Sequence, residues 1–415
     1  MLTLRRSVVF AIALLMSACA SQGAPAPDGA GQPRPLTILV SIDGFRPDYL
    51  TKADAPTMYA LSRKGVFAPE GMKPSFPSLT FPNHYTLVTG VRPDRSGMVH
   101  NTFEAPDIPG VRFSLGNKSA VTDGRFWSQA EPIWITAERA GVKTGTMFWP
   151  GSEAEINGLR PSLWTEFNQA MPSAARVDVL LGWLDDPAGG PGFATLYFDI
   201  VDTAGHYYGP DSPEVRASVA EVDAAIARLL AGLEARGLDG KVNLVIVADH
   251  GMAPVPPGQT IVADADAPGA VRMIAGGAAA GFALVPGKEA EGEAMLLKAH
   301  PNMTCWRRED IPARYGYGRN PRVAPIVCLA KLGWYISNAE SVARRKPSER
   351  MTGAHGYDPE APEMAALFLA VGPDIRRGGT VRGMVNVDVY PLLMRLIGVE
   401  PVDGVDGRLP AGVLR

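Results

Sequence analysis

The sequence predicts an α/β protein: a doubly wound, mainly parallel sheet with helices on both faces and a smaller inserted or capping subdomain. Three observations carry that prediction. Continuous apolar runs rich in β-branched residues, such as "LTILVSI", "FATLYFDIV" and "VNLVIVA", read as strands buried on both faces. Helical patterns alternate with these runs, as they do in βαβ units. The length of 415 residues suits two domains or one large α/β domain with insertions.

In chain order, residues 1–20 read as an export signal: Arg5 and Arg6, then an apolar run, then small residues. Two processing sites overlap there. The step into Cys19 resembles a lipobox, which would make Cys19 a lipidated N-terminus. "ACA", ending at Ala20, resembles an ordinary cleavage site, and Met16 is a poor first lipobox residue. Residues 21–35, with "APAPDGAGQPRP", read as a flexible linker.

The domain then spans 36–415. Its first strand is 36–42, followed by helices near 54–64 and 80–89. "EPIWITAERAG" reads as a helix stopped by Gly141, and "VKTGTMFW" as a strand. A helix near 172–186 precedes the strand "FATLYFDIV". The plainest helix runs from Ser212, as N-cap with Pro213 behind it, to Gly237. "KVNLVIVADHG" and "MAALFLAVGPD" are further strands, and "NVDVYPLLMRLIG" is the closing helix. Residues from about 255 to 350 break the alternation and are expected to form the insertion or cap. They hold Cys305 and Cys328, an even pair that suggests one disulfide in an oxidising compartment, with two free buried thiols as the alternative.

Composition narrows the function. Apolar residues make up 46% and charged residues 20%, as in ordinary globular proteins. The net charge of -3 gives no electrostatic case for nucleic acid or for a membrane surface. Membrane attachment is expected only through a lipid on Cys19.

The chemistry lies where strands end. Ligands bind outside the carboxyl ends of strands in open α/β sheets. Asp43 follows the first strand, Asp202 follows "LYFDIV" with His206 one helical turn on, and Asp249 and His250 follow "VNLVIVA". His355 sits in "TGAHGYD", before the last strand. Singly, such residues are more often caps, turns or structural histidines. Together they supply three carboxylates and three imidazoles, the donors a zinc site uses without sulfur. Six ligands suit two ions with open positions, and two ions about 4 Å apart clamp an in-line phosphoryl displacement. In "SLTFPNHYTLVTG", Thr80 stands where a helix begins. It reads as a helix cap and as a hydroxyl nucleophile, which metal coordination would activate.

Five motifs make the set recognisable: "LVSIDGFRPDYL", "PSLTFPNHYTLVTG", "DTAGHYYGP", "VIVADHGM" and "TGAHGYDP". In order and without a missing member, they resemble the nucleotide pyrophosphatase/phosphodiesterase family of the alkaline phosphatase superfamily, especially its secreted bacterial members. The resemblance runs from about residue 36 to the C-terminus. It implies an alkaline-phosphatase-like fold and two zinc ions, with manganese or iron as other occupants of the same ligands. It implies Thr80 as nucleophile, its oxygen touching one zinc held by Asp43, Asp249 and His250. The second zinc is implied on Asp202, His206 and His355. Asn101, in "VHNTF", matches the residue that hydrogen-bonds a phosphoryl oxygen. Phe81 and Tyr197 match aromatic positions beside a nucleoside, with core packing as the alternative for Tyr197. Asn83 and His84 are expected to support the helix start.

The implied reaction is hydrolysis of nucleotide diesters or pyrophosphates through a Thr80–phosphoryl intermediate. Three rivals remain at this level. A monoesterase would need positive side chains around the phosphate; Lys73 and Arg92 are the nearest in sequence. A choline phosphodiesterase would need further acids and aromatics. A non-enzymatic metal-binding protein would be expected to have lost the nucleophile or a ligand, and none is lost.

Overall fold

All six residues of the strand Thr37–Ile42 are buried, because the strand lies at the centre of an eight-stranded sheet covered on both faces. From edge to edge the sheet runs Gly379–Thr380, Val66–Phe67, Phe368–Val371, Asn243–Val247, Thr37–Ile42, Phe193–Phe198, Thr144–Met147, Leu163–Trp164. Phe368–Val371 alone runs against its neighbours. This computed structural model describes residues 34–344 and 351–415. The export signal, Cys19, residues 21–33 of the expected linker, and Arg345 and Lys346 lie outside the described residues.

Register places the site. Thr37 pairs with Phe193 on one side and Asn243 on the other, and Ser41 with Tyr197 and Val247. Three parallel strands therefore end at one level, and their next residues emerge together. The helices Pro56–Lys64, Ser173–Leu184 and Pro213–Ala235 pack with one another as one layer, and Thr80–Thr89, Ile133–Arg139 and Val389–Ile397 form the second. Pro213–Ala235 shows why these sequences fold as helices. The Ser212 hydroxyl accepts Val215 N–H at 3.2 Å, and Val215, Val219, Val222, Ile226, Leu229 and Leu233 form one buried stripe.

A second sheet, four-stranded and antiparallel, is ordered Val271–Ala275, Ala279–Leu284, Ile326–Ala330, Met303–Arg307. Cys305 faces Cys328 across its last two strands and the two form a disulfide, with 4.0 Å between Cα atoms. The pairing falls to the bonded alternative because antiparallel register sets the two residues directly opposite.

Candidate active site

Asp43 leaves the strand Thr37–Ile42 with its N–H bonded to Phe198 O at 2.9 Å. Asp249 and His250 leave the neighbouring strand, Asn243–Val247. Asp202 and His206 lie one turn apart on the helix Ile200–Tyr208, which leaves the end of Phe193–Phe198. His355 follows Gly353–Ala354, which pairs with Ala253–Pro254.

All six converge. Asp202, His206 and His355 bring ligand atoms within 4.8 Å of one another; so do Asp43, Asp202 and His250, and so do Asp43, His84 and Asp249. His250 Nε2 is 2.9 Å from Asp249 Oδ2 and 3.6 Å from Asp43 Oδ1. Asp202 lies 3.3 Å from His206 Nε2 and 3.6 Å from His355 Nε2. The rings of His250 and His355 stack face to face with centroids 3.6 Å apart.

The imidazoles are oriented for ligation. Nδ1 of His206, His250 and His355 each lies 2.9 Å from a backbone oxygen, of Gly353, Gly251 and Ser78 respectively. Nδ1 is therefore the donor, and Nε2 turns inward with its lone pair. The carboxylates ask for a cation. Asp43 Oδ1, Asp202 Oδ1 and Asp249 Oδ2 are buried without a hydrogen-bond partner. Burial, then the charges of Asp249 and Asp202, push the Asp43 carboxyl well above the usual carboxylate range. Burial opposes a charge on His206, yet Asp202 beside it raises that imidazole to about 9. Burial, then repulsion from His250, pulls His355 down to about 3. Buried anions in this arrangement are costly unless a cation neutralises them, and the oxygen-and-nitrogen donor set fits divalent metal ions.

Thr80 is the first residue of the helix Thr80–Thr89, and the capping position is Leu79. The expected capping role is corrected: Leu79 is still extended, so Thr80 stands one residue too late to cap. Its Oγ1 instead lies 3.3 Å from His250 Nε2. Phe81 N–H donates to Asn101 Oδ1 at 2.8 Å, which fixes the Asn101 side chain beside the start of the helix. Asn83 accepts Ser75 N–H and donates to the oxygens of Pro77 and Leu79, tying down the approach to the helix. His84 bridges Thr80 O and the Ser41 hydroxyl, at 2.9 and 2.8 Å. It also stands 3.3 Å from Asp249, a proximity that strand-end reasoning missed.

Thr80, Asp43, Asp202, Phe81 and Tyr197 line one cavity of about 470 Å³. Tyr197 is only 7% exposed, and its hydroxyl donates to Asp43 Oδ2 at 2.7 Å. It supports a carboxylate as well as facing the cavity. Trp149 and Phe167 line the same space and were not singled out from sequence. Trp149 follows the strand Thr144–Met147, so the strand-end rule would have found it had the rule been applied to aromatics as well as charges. Among the described residues Lys118 is the one cation in the lining, and it pairs with Glu166. Lys73 pairs with Glu360 at 2.7 Å and Arg92 borders a separate cleft with Arg314, so neither lines the cavity.

Comparison with known proteins gives four further findings. The sequence matches the family described as type I phosphodiesterase / nucleotide pyrophosphatase over residues 37–358. Bis(5'-adenosyl)-triphosphatase enpp4 of Xenopus laevis is 33% identical over 401 residues, covering 95% of this chain and 85% of that protein. Ectonucleotide pyrophosphatase/phosphodiesterase family member 5 of Homo sapiens is 34% identical over 365 residues, covering 87% of this chain and 74% of that one. The solved structure of murine member 5, an inactive threonine-to-alanine form in complex with AMP, matches with TM-score 0.85 at 33% identity. It covers 92% of this chain and 100% of that one.

Proposed function

The chain belongs to the type I phosphodiesterase / nucleotide pyrophosphatase family, and from that premise we propose how its own residues hydrolyse nucleotide diesters and pyrophosphates. The observation that carries the reading is one cavity lined by Thr80 and by Asp43 and Asp202 of the six converging residues, with no unpaired cation in its lining among the described residues. Asp43, Asp249 and His250 would hold one zinc ion, and Asp202, His206 and His355 a second. Bound there, zinc supplies Lewis-acid neutralisation of developing oxyanions and lowers the pKa of a ligated hydroxyl or water.

The chain's residues do the rest. Thr80 Oγ1 attacks phosphorus in line, forming a Thr80–phosphoryl bond as the bond to the leaving alkoxide or phosphate breaks. The Asn101 amide donates to a non-bridging oxygen; removing such a donor costs about 10²-fold or more. Phe81, Tyr197, Trp149 and Phe167 give an apolar wall for the retained nucleoside. Water then cleaves the Thr80–phosphorus bond, releasing a nucleoside 5'-monophosphate and restoring the hydroxyl. A monoester would leave further phosphoryl oxygens without a positive partner, which favours the diester. The leader at 1–20 and the Cys305–Cys328 disulfide support an exported protein.

The test compares kcat/KM for a thymidine 5'-monophosphate nitrophenyl ester and for nitrophenyl phosphate, in wild type and Thr80→Ala. The reading expects strong preference for the diester, abolished in the variant. Preference for the monoester would overturn it.

A further inference from the structure

A groove of about 1060 Å³ lies at the opposite end of the sheet from the ligand cluster. Val242 and Leu244 line it, at the start of the strand whose far end leads to Asp249. At about 3.3 Å per residue, groove and cluster stand roughly 15–20 Å apart.

Three chain segments bring cations to this groove. Arg63 and Lys64 end the helix Pro56–Lys64. Gly378 N–H donates to Lys64 O and Gly379 N–H to Gly65 O, both at 3.0 Å, which lays Arg376 and Arg377 beside them. Arg415 is joined by its N–H to Asp374 O at 3.0 Å. Arg63, Lys64, Arg376 and Arg377 are exposed, and none has an ion-pair partner among the described residues. Among the described residues Glu234 and Asp239 are the acids in the lining, so cations are in excess here on a chain of net charge -3. Leu230 and Leu238 give the groove an apolar floor. Unpaired like charges in a cleft focus a positive field outward.

The point of chain entry lies at the same end. Leu36 O accepts Asn243 N–H at 2.9 Å, so Leu36 enters the sheet on the groove's side.

We infer that this end of the domain docks on anionic phospholipid at a membrane surface, its cations on headgroup phosphates and its apolar floor against the glycerol and first methylenes. The ligand cluster then faces away from the membrane, open to soluble substrate. Whole-chain net charge hides this surface because acids elsewhere outnumber the cations gathered here. Clustered basic residues are how proteins recognise anionic leaflets.

The test is co-sedimentation of the full chain with phosphatidylcholine vesicles and with vesicles containing 30% phosphatidylglycerol (a composition of about one anion in three lipids). The comparison variant is Arg63→Glu/Lys64→Glu/Arg376→Glu/Arg377→Glu. Unchanged diester kcat/KM shows that this variant is folded. The proposal expects binding that needs phosphatidylglycerol, weakens with salt, and falls at least tenfold in the variant. Equal binding to both vesicles, or binding that survives in the variant, overturns it, since attachment would then come from the residues ahead of the domain. No binding to either vesicle overturns it too.

Discussion

The two proposed ligand sets differ in how they are held. Asp43, Asp249 and His250 have side chains 2%, 0% and 0% exposed, whereas Asp202 and His206 are 15% and 25% exposed and His355 6%. The deep set hangs from two hydrogen-bonded neighbouring strands, and the Tyr197 hydroxyl and Gly44 N–H brace two of its carboxylates. The rim set hangs from a nine-residue helix and a two-residue strand. One half of the centre is thus fixed by the sheet, and the other by a close approach of two short elements. Gly353 permits that approach: a Cβ there would sit 2.3 Å from Gly205 O. The lesson is that ligands of the same chemistry can differ in exchange and in tolerance to change.

Four changes sharpen or break this contrast. Asp249→Ala strikes the deep set. The expected loss is on the order of 10³-fold in kcat/KM, about 4 kcal/mol of transition-state stabilisation, without rescue by excess zinc. His206→Ala strikes the rim; about 10²-fold loss is expected, partly restored by added zinc, and steady-state kinetics across zinc concentrations reads both. Equal rescue of the two variants would erase the distinction. Gly353→Ala pushes the rim elements apart and should weaken one ion by about tenfold while leaving the other, which competition with a chromogenic chelator measures.

The smallest effect lies far from both sets and serves as a control. Hydrogen bonds from Arg322 hold the Asp107 carboxyl below its ordinary 3.8. A depressed folded value contributes stability above about pH 4 and loses it as pH falls through that value. Asp107 is 46% exposed, so its share is under about 1 kcal/mol. Asp107→Asn should lower stability slightly at pH 7, with the difference shrinking toward pH 3 in denaturant titrations and the ligand sets unaffected.

Much of this was legible beforehand for a physical reason. Buried strands must be continuously apolar, so a charged residue directly after one marks the open end of the sheet; Asp43, Asp249 and His250 were found that way. Direction was not legible. Phe368–Val371 runs antiparallel, yet a buried strand has the same apolar pattern either way. The two-residue strands at 66–67, 163–164 and 379–380 carry no periodicity to detect. The Thr80 capping role failed because helix onset depends on the backbone of Leu79, which residue type does not reveal. Trp149 was missed because the strand-end rule was applied to charges alone, and Phe167 because an aromatic in a loop looks the same whether it faces a cavity or the core. The cationic groove was invisible because Arg63 and Arg376 are remote in sequence and meet only through backbone pairing at Gly378 and Gly379.

The most direct test removes metal in steps. Zinc per chain, by elemental analysis, and diester turnover are followed together during titration with a chelator. The account predicts two ions per chain, lost in two phases, with turnover vanishing in the first phase as the rim empties. A single ion per chain, simultaneous loss of both, or turnover that survives the first phase would contradict it.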